Sequence, residues 1–112
     1  MPDPLGGKTI AQLNAEAVIE AIQREVRVQE RNVRDGQELR LYFSHGDSLL
    51  RVFSVAQRGN TVAVLECRDG SGYDSTVLTP LAALTLMCRV ETLPAPEKPH
   101  KIGFSTSENS RE

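Results

Sequence analysis

Leu39-Arg40-Leu41-Tyr42-Phe43-Ser44-His45-Gly46-Asp47-Ser48-Leu49 decides the fold of this 112-residue chain. Apolar side chains stand at 39, 41 and 43, a Gly-bearing turn follows, and Leu49 resumes the pattern. Alternation with a period of two puts one set of side chains on one face of a strand, so the stretch reads as a half-buried antiparallel strand entering a hairpin. The same pattern continues outward, predicting strands over Glu38–Ser44, Leu49–Gln57, Thr61–Arg68, Ser75–Thr79 and Leu84–Glu91. The turns between them, His45-Gly46-Asp47, Arg58-Gly59-Asn60 and Asp69-Gly70-Ser71-Gly72, carry the Gly, Asn and Asp that tight hairpins need. Pro80 cannot donate to a ladder and marks a break, with Leu81-Ala82-Ala83 as one helical turn.

Upstream of the strands the pattern changes to a helix. Thr9 followed by Gln12 is a capping-box pair, which starts the helix near Ile10. Leu13, Ala17 and Ala21 form one i, i+4 ladder; Val18, Ile22 and Val26 form another, which should rest on the sheet. The helix fades between Arg27 and Arg34, and Asp35-Gly36 launches the first strand. The expected fold is therefore mainly β (α+β): an N-terminal amphipathic helix before a five-stranded antiparallel small β-barrel. Residues 1–9 read as a flexible leader, 10–93 as the domain and 94–112 as a disordered, proline- and charge-rich tail.

Composition limits the function classes. The formal charge of −2 argues against a strongly electrostatic nucleic-acid binder, and five aromatic residues without Trp leave few rings for base stacking. Cys67 and Cys88 form no metal-ligand spacing with His45 and His100, so neither a disulfide scaffold nor a metal or other cofactor is expected. With no apolar run near 18 residues and no basic-then-apolar start, the chain reads as cytoplasmic and without a membrane partner.

Four motifs bear on chemistry. Gly7-Lys8-Thr9 resembles the end of a phosphate-binding loop, but Pro2 occupies the position of its first Gly. Ser44-His45-Gly46-Asp47 sets nucleophile, base and acid types side by side, where they diverge rather than converge, so no catalytic residue is assigned and the chain reads as a non-enzyme. Arg24, Arg27, Arg31 and Arg34 recur at helical spacing and form the candidate phosphate-binding stripe, opposed by Glu20, Glu25, Glu30 and Asp35. In the tail, Ile102 and Phe104 alternate around Gly103 and are the candidate partner-binding anchors, since extended peptides dock on sheet edges in this way.

Two family resemblances follow from these residues. Leu39, Leu41, Phe43, Gly46 and Leu49 fill, in order, the first motif of the Sm-like family, and Phe53 and Ala56 continue it; residues 11–93 resemble that family's helix-plus-five-strand layout. Arg51 and Gln57 stand where the motif has Gly and an acidic residue, and Thr79-Pro80 stands where the second motif holds RNA. The resemblance thus implies a small barrel of Sm-like or SH3-like type and ring assembly more than RNA binding. Separately, Arg27–Arg31 and Asp69-Gly70-Ser71 resemble the two motifs of PilZ domains, which bind a cyclic dinucleotide, with Asp74 where that family has Gly. The expectation is a non-catalytic binding and assembly module that partners a protein or itself; an RNA binder and a dinucleotide-responsive regulator are the alternatives.

Overall fold

The structure, a computed structural model, describes residues 9–94 and 98–106. Most of the expected leader, the Gly7-Lys8 motif and the end of the tail lie outside the described residues. The chain order is α1 (Ile10–Glu30), β1 (Gln37–His45), β2 (Ser48–Arg58), β3 (Val62–Arg68), β4 (Asp74–Pro80), a 3-10 turn (Leu81–Ala83), β5 (Met87–Thr92) and β6 (Gly103–Ser105). The first five strands form an antiparallel sheet in the order β4-β3-β2-β1-β5, and β6 joins β2 in parallel.

The helix begins as its capping box dictates. Thr9 Oγ1 accepts the Gln12 N–H at 3.0 Å, and Gln12 Oε1 accepts the Thr9 N–H at 2.8 Å. Of the ladder expected to dock, Ile22 and Val26 do and Val18 does not. Ala15, Ile19 and Val26 are buried, Ile22 packs beside them, and Val18, Ala17 and Ala21 are exposed. Burying a branched aliphatic side chain is worth about 1.5–3 kcal/mol, far more than a methyl group. The helix therefore turns the seam through Ile19, Ile22 and Val26 onto β1 and β2.

The hairpin turns need glycine for a stated reason: Gly46 between β1 and β2 sits at φ +59°, in left-handed backbone that a side chain disfavours. Leu39 and Leu41 of β1 face Leu50, Val52 and Val55 of β2 and Ala63, Leu65 and Cys67 of β3 in one core. Along β2 the register slips between Val52 and Ser54, so Phe53 is the extra residue of a β-bulge. Before the bulge β2 pairs with β1; after it, the edge of β2 that β1 leaves is taken by β6, with Ser54 opposite Gly103 and Val55 opposite Phe104.

Two expectations change here. The sheet is not closed into a barrel, because β4 and β5 are its two ends and do not pair with each other. Residues 98–106 are not a loose tail: Ile102 is buried in the core, Phe104 packs against it, and β6 is a sixth strand. The expected disorder rested on polar composition, and two apolar side chains with a ready strand edge suffice to overturn it.

Candidate functional site

The solvent face of the sheet carries a connected polar network built by strand alternation. Positions 38, 40 and 42 of β1 point away from Leu39 and Leu41, and Arg51 lies opposite Tyr42 in register. Glu38, only 3% exposed, accepts from Arg40 Nε at 2.7 Å, from Arg51 Nη2 at 3.0 Å and from the backbone N–H of His100 at 2.7 Å. Burial alone would raise the pKa of Glu38, but the His100 N–H, Arg40 and Arg51 together outweigh it and hold the carboxyl below its ordinary value. Arg40 also reaches Glu91 at 3.1 Å, and the Tyr42 hydroxyl donates to the same carboxylate. Re-aimed by the bulge, Phe53 meets the guanidiniums of Arg51 and Arg68 at 4.6 and 5.1 Å, and the His100 ring meets it edge-on at 5.2 Å.

These arginines look like an anion platform until their partners are counted. Arg40 and Arg51 share Glu38, Arg40 adds Glu91, and Arg68 holds Asp74 at 2.8 Å. A phosphate arriving there would have to displace carboxylates already in place.

The helix arginines are divided in the same way. Arg24, Arg27 and Arg31 line one shallow cleft with Glu20 and Gln23, but the helix stops at Glu30 and Arg34 lies beyond it, beside Asp35 and Pro99. Arg27 is engaged three times: with the Glu30 carboxylate at 3.1 Å, with the Ile102 carbonyl at 3.1 Å and over the Phe104 ring at 5.4 Å. Asp69 caps its own turn, accepting the N–H groups of Ser71 and Tyr73, and lines a cleft with Arg40, Arg51 and Phe53, while Arg27 and Arg31 line another. Ser44, His45 and Asp47 sit exposed at the β1–β2 hairpin. Cys67 is buried, and burial followed by the charge of Glu66 pushes its thiol up to about 11, so it is no nucleophile. Among the described residues, no cluster of three or more His, Cys, Asp and Glu could hold a metal ion, and no helix is long and apolar enough to cross a membrane.

What the fold does present is backbone that can accept a strand. Among the described residues, β4 and β5 are each hydrogen-bonded to another strand on one side only. They carry Leu78, Met87 and Val90, which are 70%, 40% and 46% exposed. The third such place, the edge of β2 at Ser54–Ala56, is filled by the chain's own Ile102 and Phe104, the two anchors expected to seek a partner. Sequence reasoning did not find Glu38 or the seat on β2. The Glu38-x-Arg40 pair, charged residues alternating with core leucines, was the available signal for the first; a bulge leaves none for the second. Comparison with protein-family models, with curated proteins and with solved structures finds no match to this chain.

Proposed function

We propose that this chain is a non-catalytic binding and assembly module that self-associates through the free edges of its sheet. The observation that carries this reading is the pair of unpartnered edges, β4 and β5, bearing exposed Leu78, Met87 and Val90. An unprotected strand edge is a template for another strand, and natural sheets blunt such edges with charge, proline or a covering element. Here Pro80 blunts only the last position of β4, and Arg89 and Glu91 alternate with apolar residues on β5. Joining β4 of one copy to β5 of the next is a head-to-tail contact, which closes into a ring or runs into a filament. The resemblance to the Sm-like family supports the ring. RNA and dinucleotide binding draw less support, since Arg27, Arg40, Arg51 and Arg68 already hold carboxylates.

Sedimentation equilibrium tests the reading. The expected particle is heavier than the 12.3 kDa chain. Leu78→Lys and Val90→Lys, which put charge on the two edges, should each return it toward the monomer. A wild-type particle of chain mass at high concentration overturns the proposal.

A further inference from the structure

Residues 98–106 are seated on the molecule by interactions that any copy of the chain could supply. The seat is the part of the β2 edge beyond the bulge, where Ser54, Val55 and Ala56 pair in parallel with Gly103, Phe104 and Ser105. Beside it, Arg27 donates to the Ile102 carbonyl and stacks on Phe104, while Glu38 accepts the His100 N–H. We propose that this C-terminal arm exchanges between two copies, Ile102 and Phe104 of one copy filling the β2 seat of another.

Four observations carry the exchange. Among the described residues the arm pairs with a single strand, β2, and no other strand pairs with it. Its ladder is three residues long, so beyond the packing of Ile102 and Phe104 and the bonds to Arg27 and Glu38 few backbone bonds have to open. The hydrogen bonds and apolar packing that the arm gives up on leaving are all restored on another copy's seat, so the choice is set by the connection and the concentration rather than by new bonds. The connection, residues 93–101, includes Pro94, Pro96 and Pro99. Leu93 is held by Gly36 and His100 by the seat, so the free span is residues 94–99, which reaches up to roughly 20 Å and requires the receiving seat to lie close to the donor's own. The exchange uses different residues from the β4 and β5 edges, so the two modes of self-association stand or fall separately.

A cysteine trap reads the exchange directly. A Cβ at Gly103 would stand 3.6 Å from the Cβ of Ser54, within the roughly 3.5–4.5 Å found in disulfides. Ser54→Cys and Gly103→Cys are made separately in a Cys88→Ser background; Cys67 stays buried and untouched. The two proteins, each carrying one introduced cysteine besides the buried Cys67, are mixed, equilibrated under reduction and then oxidised. The expected product is a dimer of twice the chain mass with a 54–103 linkage by peptide mapping, and no such product when Thr76→Cys replaces Ser54→Cys. Repeating the mixture with Leu78→Lys and Val90→Lys present should leave that dimer intact. If the mixture yields no 54–103 dimer while the double variant Ser54→Cys/Gly103→Cys closes within one chain, the arm is fixed in its own molecule and the proposal is wrong. If neither protein forms the linkage, the seat itself is wrong and the proposal falls with it.

Discussion

The carboxylate of Glu38 and the backbone N–H of His100, 62 positions apart in the chain, meet at 2.7 Å. Glu38 stands at the start of the first strand, and His100 introduces the last. The same carboxylate holds Arg40 and Arg51, so one buried charge ties the arm to two neighbouring strands. A charge so placed is held by its partners, and removing it leaves two guanidiniums with less than they had.

Glu38→Ala should therefore destabilise the protein by about 2–3 kcal/mol, less than a fully buried pair would cost because Arg40 and Arg51 remain partly solvated. Urea denaturation measures it. A loss below the scatter of a surface substitution would show that the network adds nothing.

Acid should act through the same group. The folded pKa of Glu38 lies below its ordinary value of 4.5, so the stability it contributes is present above that value and is lost as pH falls through the lower, folded one. Melting temperatures followed from pH 7 downward should fall below about pH 4.5 in the wild type. Glu38→Gln should lose less over that window, and parallel curves for the two proteins would assign the acid sensitivity elsewhere.

The helix seam gives a paired test. Ile19→Ala removes a fully buried side chain and should cost about 2–4 kcal/mol. Val18→Ala, one position away on the exposed side, should stay within about 0.5 kcal/mol. Equal effects at the two positions would place the helix in a different rotation.

For the arm, Ile102→Ala should cost about 2–4 kcal/mol and expose the amides of Ser54–Ala56 to hydrogen exchange. Unchanged protection of those amides would mean that the seat does not depend on the arm.

Thiol chemistry separates the cysteines. Cys88 is exposed and Cys67 is buried, with burial the main cause of the raised pKa at each. At pH 8 iodoacetamide should modify Cys88 in the folded protein and Cys67 only after denaturation, as read by intact mass. Modification of Cys67 without unfolding would contradict its place in the core.

The four-strand meander β1–β4 was legible because each hairpin is a local event: alternation fixes the face, and a Gly-bearing turn fixes the register; the pairing of β5 with β1, about fifty positions away, was not. Gly46 and the Leu39–Phe43 alternation needed nothing from elsewhere in the chain. The helix was legible in its start, from Thr9 and Gln12, but not in its rotation, because two apolar ladders competed and only the sheet decides between them. β6 was hidden for the opposite reason. Its partner, Ser54–Ala56, lies some fifty positions earlier, pairs in parallel and is free only because the bulge at Phe53 parts β2 from β1. Of the candidate phosphate stripe, Arg24, Arg27 and Arg31 share one cleft, while the helix ends at Glu30 and leaves Arg34 beyond it.

Ile102 completes the core from a position later in the chain than every described strand but its own. Until β6 docks, the sheet holds an uncovered trough between helix and second strand, and Glu38 lacks its His100 donor. The seat on β2 and its occupant are some fifty positions apart, so the loop between them must close before the contact returns any stability. The core is thus finished from outside the meander that builds it.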